Sequence, residues 1–148
     1  MWFKLVAVAG LAGVLACAPA AAAGATSAGT FKGKTDRDQP VEFKVTDAGQ
    51  LTAFSFRRLK LKCSDGDTLR LGSVASGKDK LTITPAGKFN FSVSYDAGDR
   101  WTASGTIDGS RAKGKLRFRV RFDADGNAAP DGSVLCDSGR RRFSATLR

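Results

Sequence analysis

The chain has 148 residues, with 24 Lys or Arg against 14 Asp or Glu and no His, for a formal charge of +10. The missing His removes the usual general base near neutral pH, which argues against most acid–base enzymes. The length suits one domain with a working core, and the cationic excess favours either anionic partners or plain solubility.

Residues 1–23 read as a secretory signal peptide. Lys4 precedes the apolar run "LVAVAGLAGVLA", too short for the ~20 residues that cross a bilayer, and small-residue cleavage sites end at Ala20 or Ala23. A second processing route keeps Cys17: "VLAC" is similar to a bacterial lipobox, with Leu15 where a small residue is usual, and would make Cys17 a lipid anchor. Removal of the signal is the expectation. It leaves a flexible linker at 24–28 and a domain at 29–148. Only Lys4 is lost among the charges, so 23 − 14 gives +9. No later segment is apolar enough to span a membrane.

The domain alternates apolar and polar residues, the pattern of half-buried strands. "TFKGKT" begins it, and "VEFKVT" puts Val41, Phe43 and Val45 on one side. In "LTAFSFRRLKLKC" the apolar set changes parity between Phe56 and Leu59, which places a β-bulge at Arg57–Arg58. "TLRLG" and "LTITP" are short strands. "KFNFSVSYD" turns Phe89, Phe91, Val93 and Tyr95 inward, and "RWTASGTID" follows. "KLRFRVRFD" puts Leu116, Phe118, Val120 and Phe122 inside and Lys115, Arg117, Arg119 and Arg121 in water. "VLCDSGRRRFSATLR" closes the chain. About nine short strands with Gly/Asp turns predict an all-β antiparallel meander closed as a sandwich or barrel. "GTFKG" and "GTIDG" echo one another, either as a duplicated hairpin or as one turn solved twice.

With the signal gone, Cys63 and Cys136 remain, and an oxidising compartment predicts one disulfide between them. Closing a loop of 73 positions stabilises the fold by about 4 kcal/mol in the loop-entropy account.

Several spellings resemble chemical motifs and fail on a specific residue. "GSVASGKD" approaches a phosphate-binding loop, but Asp79 replaces the hydroxyl and a strand ended by Pro85 follows where a helix is needed. "DADGNAAPD" puts Asp123, Asp125, Asn127 and Asp131 at calcium-loop positions. Ala128 occupies the glycine position and Val134 the bidentate glutamate position, so a hairpin loop is expected there. "NFS" at Asn90 is a glycosylation sequon within a strand. Asp residues sit in turns, Glu42 faces solvent, and no residue set points to a catalytic site, a cofactor or a metal.

A signal peptide, "GTFKG", a first Cys after an aromatic pair, "GKFNFS", "SGTIDG" and "CDSGRRRFSA" together resemble uncharacterised secreted bacterial all-β domains with two cysteines. That resemblance implies a fold and an exported location, with no activity attached.

The functional expectation is an exported, non-catalytic binding or structural module of the cell surface or medium. It would meet anionic envelope or extracellular polymers through Lys115, Arg117, Arg119, Arg121 and the cluster Arg140, Arg141 and Arg142. Nucleic acid is disfavoured, because Phe118, Phe122 and Phe143 lie on the opposite face from the cations and cannot stack bases there. The alternative is a small barrel holding an apolar ligand among Phe89, Phe91, Tyr95, Trp101 and Phe118.

Overall fold

A computed structural model of the chain describes residues 26–75, 80–95 and 98–148. The signal peptide, Cys17 and residues 76–79 of the phosphate-loop spelling lie outside the described residues. The described part of that spelling, 72–75, is strand.

The described residues form ten strands and no helix. They are β1 (Gly29–Thr35), β2 (Pro40–Val45), β3 (Gln50–Cys63), β4 (Thr68–Ala75), β5 (Leu81–Thr82), β6 (Lys88–Ser94), β7 (Arg100–Asp108), β8 (Arg111–Phe122), β9 (Val134–Asp137) and β10 (Arg141–Leu147). Six of them close an antiparallel barrel in the order β1-β2-β3-β9-β8-β10, with β10 pairing back onto β1. Outside this ring, β4 and β5 pair with the other edge of β3, and β7 then β6 extend from the other edge of β8. The fold is therefore a barrel rather than a sandwich of two separate sheets.

Ring closure depends on a break that the alternation of the last segment conceals. "VLCDSGRRRFSATLR" is two strands, divided at Ser138–Arg140. Ser138 is fully buried; its Oγ accepts from the Phe118 N–H (2.9 Å) and donates to the Gly139 carbonyl (2.8 Å). Gly139 then takes φ 67°, in the left-handed region that costs glycine little. The break frees β9 to bridge β3 and β8 while β10 continues along the same edge of β8 to reach β1.

The core is strongly aromatic. Phe31, Phe43, Phe54, Phe56, Phe89, Phe91, Trp101, Phe118 and Phe143 are all buried. Trp101 sits 4.8 Å from Phe91, 5.4 Å from Phe54 and 5.5 Å from Phe56, ring centroid to ring centroid. The edge-to-face and offset arrangements here add to simple burial. Phe89, Phe91, Trp101 and Phe118 thus pack on other rings and on one another. Tyr95 corrects the inward expectation: it is 38% exposed, its hydroxyl donating to the Ala75 carbonyl (2.8 Å) and accepting from Trp101 Nε1 (3.4 Å). The chain has passed the end of β6 there, so the alternation no longer governs the side chain.

The parity change in β3 falls where the sequence puts it, with Arg57 and Arg58 both exposed and Arg58 at φ 57°. A second one precedes it. Register slips between Glu42 and Lys44 on β2, opposite Ala53, which takes φ 51°. The buried set therefore runs Leu51, then Phe54 and Phe56, then Leu59 and Leu61, and the strand bends twice to stay on the barrel surface.

One cross-strand row explains a pair of glycines. Phe89, Gly105, Gly114 and Phe143 are successive register partners across β6, β7, β8 and β10. A Cβ on Gly105 would meet Phe89 at 2.7 Å, and one on Gly114 would meet Phe143 at 2.8 Å. The two rings occupy the space the glycines leave, with centroids 6.4 Å apart. Gly109, by contrast, is the turn between β7 and β8, whereas Gly33 lies within β1. "GTFKG" and "GTIDG" therefore occupy different parts of their hairpins and mark no duplication.

Cys63 and Cys136 are direct register partners on β3 and β9 and form a disulfide across a sequence separation of 73. No described helix is long and apolar enough to cross a membrane.

Candidate functional site

Strand register assembles cations on the outer surface. Cys63 and Cys136 face inward, so their neighbours Lys62 and Asp137 face out, opposite one another. The row continues on both sides: Arg119 pairs with Asp137, Arg100 with Arg119, and Thr68 with Lys62. One outer row thus crosses β7, β8, β9, β3 and β4. Four strand spacings make it roughly 19 Å wide. The adjacent row carries Arg117 on β8 and the Lys60–Arg70 pair on β3 and β4.

Two clefts open on this surface. The first, about 410 Å³, is lined by Lys115, Arg117, Arg119 and Arg140 together with the polar Asn90, Thr102 and Ser104. The second, about 560 Å³, is lined by Arg37, Arg58, Lys60, Lys62, Arg70 and Arg141, with Asp38 and Gln39. Consecutive residues of the segment after β9, Arg140 and Arg141, enter different clefts, so the two flank the start of β10.

The seven cations expected from the sequence are thereby distributed. Lys115, Arg117, Arg119 and Arg140 share the first cleft, and Arg141 joins the second. Arg142 is the register partner of Lys115 and lines a shallow groove with Lys113. Arg121 points to a neighbouring hollow, where its Nη1 donates to the Gly132 carbonyl at 3.1 Å. Sequence reasoning missed Arg37, Arg58, Lys60, Lys62 and Arg70. The outward parity of "RRLKLK" was a usable signal; the neighbourhood of Arg141 was not, because the ring closure creates it.

Asp137 is the carboxylate that interrupts the outer row. Arg117 Nε donates to both of its oxygens (3.0 Å each), Arg117 Nη2 adds a further hydrogen bond to Oδ2, and the Gly139 N–H donates to Oδ1 at 2.7 Å. Partial burial pushes the Asp137 carboxyl up, but the Arg117 hydrogen bonds, the Gly139 N–H and the charges of Arg117 and Arg119 together hold it below its ordinary value. The same bidentate bond raises the Arg117 guanidinium. Asp99, at the rim of the hollow beside Arg100 and Arg119, is shifted the other way by burial, and its Oδ1 is buried with no hydrogen-bond partner among the described residues.

A buried polar frame shapes the second cleft. Thr35 Oγ1 donates to Gln39 Oε1 (3.0 Å) and accepts from the Arg37 and Gln39 N–H groups (3.2 Å each). Gln39 Nε2 then donates to the Arg58 carbonyl at 3.3 Å. The turn between β1 and β2 is tied in this way to the kink in β3. Asp38 and Arg58, both at φ 57°, are two of three non-glycine residues with positive φ among the described residues. Asp38 is almost fully exposed and pairs with Lys34 (3.6 Å).

The acidic loop after β8 serves its own turn. Asp123 Oδ1 accepts from the Asp125 and Asn127 N–H groups (2.9 and 2.8 Å), as Asx turns do. Among the described residues no group of His, Cys, Asp and Glu could hold a metal ion. The cationic outer surface attracts negative charge. No protein-family model matches the chain, and neither the curated proteins nor the solved structures include one significantly similar to it.

Proposed function

We propose that the protein is an exported, non-catalytic binding module that holds linear acidic polysaccharide against its outer sheet surface. The observation that carries this reading is the register row Arg100–Arg119–Asp137–Lys62, with a cationic cleft on each side of β10's start. Ten cations line the two clefts, four in one and six in the other; Asp38 lines the second, and Asp137 binds Arg117 of the first. A surface of one sign attracts polyanions and gains from counterion release. Export rests on the signal-like leader and is compatible with the disulfide. A polymer without bases fits better than nucleic acid, because Phe118 and Phe143 are buried and the exposed large hydrophobic side chain, Tyr95, lies beyond the clefts.

The test compares two variants of equal net charge on an immobilised acidic glycan at about 0.15 M salt, where long-range attraction is screened beyond ~8 Å. Lys62/Lys115/Arg119→Ser removes cations from the surface, and Lys44/Lys88/Arg148→Ser removes exposed cations elsewhere. The first variant elutes much earlier than the second. Equal losses would reduce the effect to net charge and end the proposal.

A further inference from the structure

The second cleft has features that a surface for a linear polymer does not require. Its cations converge from three separate places: Arg37 from the turn after β1, Arg58, Lys60, Lys62 and Arg70 from the β3–β4 hairpin, and Arg141 from the start of β10. Convergence from three directions onto about 560 Å³ makes a concave site within the usual size range for small ligands. Arg58 holds a backbone conformation that a bulky residue rarely adopts, fixed by the Gln39 hydrogen bond to its carbonyl. Strain of this kind concentrates at functional positions. Independently, Arg141 Nε is buried and has no hydrogen-bond partner among the described residues. A buried guanidinium N–H without an acceptor is costly, and because the Arg141 side chain lines the cleft, its turning toward an oxyanion bound there would satisfy the donor.

We propose that this cleft is a discrete binding site for a phosphate monoester, in which Arg141 turns its unsatisfied guanidinium donors to the ester and Arg58, Lys60, Lys62 and Arg70 supply the surrounding charge. A phosphate monoester matches the site because it carries close to two negative charges and three acceptor oxygens on one small group. The planar guanidinium fork of Arg141 offers the paired donors that phosphate oxygens accept. The site shares Lys62 and the other cations of its cleft with the polymer surface but takes nothing from the Lys115–Arg117–Arg119–Arg140 cleft, so saturable ester binding and polymer retention can fail independently.

Titration of the full domain with glycerol 3-phosphate, followed by amide chemical shifts at about 0.15 M salt, tests the assignment. Saturable binding at one site is expected, with the largest shifts at Gln39, Arg58 and Arg141. Arg141→Lys keeps the charge but loses the Nε donor and the fork, and is expected to weaken binding at least about tenfold. Lys60/Arg70→Ser, both on exposed strand positions, is expected to weaken it as well and guards against a folding defect in the Arg141 variant. Lys115/Arg119→Ser, in the other cleft, leaves affinity within about twofold, as for sites without shared partners. Methyl sulfate, with one charge, binds much more weakly. Vesicles containing phosphatidate identify a lipid headgroup as the source if they bind more tightly than glycerol 3-phosphate, and a soluble ester if they do not. Non-saturating shifts, or an Arg141→Lys variant that binds like the wild type, would overturn the proposal.

Discussion

Asp137→Asn separates the structural role of the outer row from its binding role, because the two respond in opposite directions. The substitution keeps size and shape and leaves an amide oxygen for the Gly139 N–H, so the chain path after β9 is retained. It removes the charge that holds Arg117. Hydrogen bonds to charged partners contribute about 1.5–3 kcal/mol each when shielded. Here the Arg117 side chain is 38% exposed and that of Asp137 21%, so water replaces part of the loss and the whole pair contributes about 1–2 kcal/mol. For a domain of this size that lowers Tm by roughly 3–8 °C. Binding moves the other way. Arg117 is released to a polyanion, adding one contact; the log–log salt dependence steepens by about 0.7–0.9 and affinity for acidic polysaccharide rises several-fold. Thermal melts and glycan binding at three salt concentrations read both effects on one preparation. A variant that is less stable and also binds more weakly, or whose salt slope is unchanged, would refute the reasoning, since Asp137 would then be organising the site and not competing for it.

The same pair sets a pH signature. The folded-state carboxyl of Asp137 lies below its ordinary value of 3.8, so folding gains stability from it once the pH exceeds the unfolded value. That stability is lost as the pH falls through the depressed folded value. The wild-type advantage over Asp137→Asn is therefore flat from neutral pH down to about 5 and shrinks below about 4. A constant difference across acid pH would rule out the charged pair as its source.

Two further outcomes follow from packing and cross-linking. Gly114→Ala puts a Cβ 2.3 Å from the Ser104 carbonyl and 2.8 Å from Phe143; neither yields cheaply, and a loss of about 1–3 kcal/mol in chemical denaturation is expected, while an exposed control such as Gly72→Ala, with open space around its Cβ, loses much less. Cys63/Cys136→Ala removes a cross-link spanning 73 positions, for which the loop-entropy relation gives about 4.4 kcal/mol. An oxidised-versus-variant difference under about 1 kcal/mol would show that the denatured chain is already constrained.

The fold was legible where spacing alone decides it. Alternation in "KFNF" and "KLRFRVRF" correctly put Phe89, Phe91, Leu116, Phe118 and Val120 inside, and two remaining cysteines identified the disulfide. Arg57–Arg58 gave itself away because its parity change is flanked by strongly apolar residues. Ala53 did not, since alanine carries no signal for a positive φ and the bulge it makes depends on β2 lying opposite. The division of the last segment was hidden for a related reason: "CDSG" reads as continued alternation until Ser138 is seen bonded to the Phe118 backbone. Without that break neither the ring nor the second cleft exists. Of the ten cleft cations, five were legible as well: Lys115, Arg117, Arg119 and Arg140 of the first cleft and Arg141 of the second. The rest depends on pairing between residues far apart in the chain, such as Lys62 with Asp137, and charge counted along the sequence pointed to the C-terminal third instead.

The covalent bond between β3 and β9 has a bearing on what proteolysis can do to the molecule. Residues 64–135 all lie within the loop it closes, and that loop contains β4 through β8. A protease cutting any exposed turn within this span leaves two polypeptides that are still one molecule. A cut before β8 leaves Lys62 on one fragment and Arg119 on the other, yet Asp137 between them adjoins the half-cystine Cys136. The outer row is anchored at its centre by the cross-link itself. A nicked protein would migrate as intact until reduced, and would keep its cations in register.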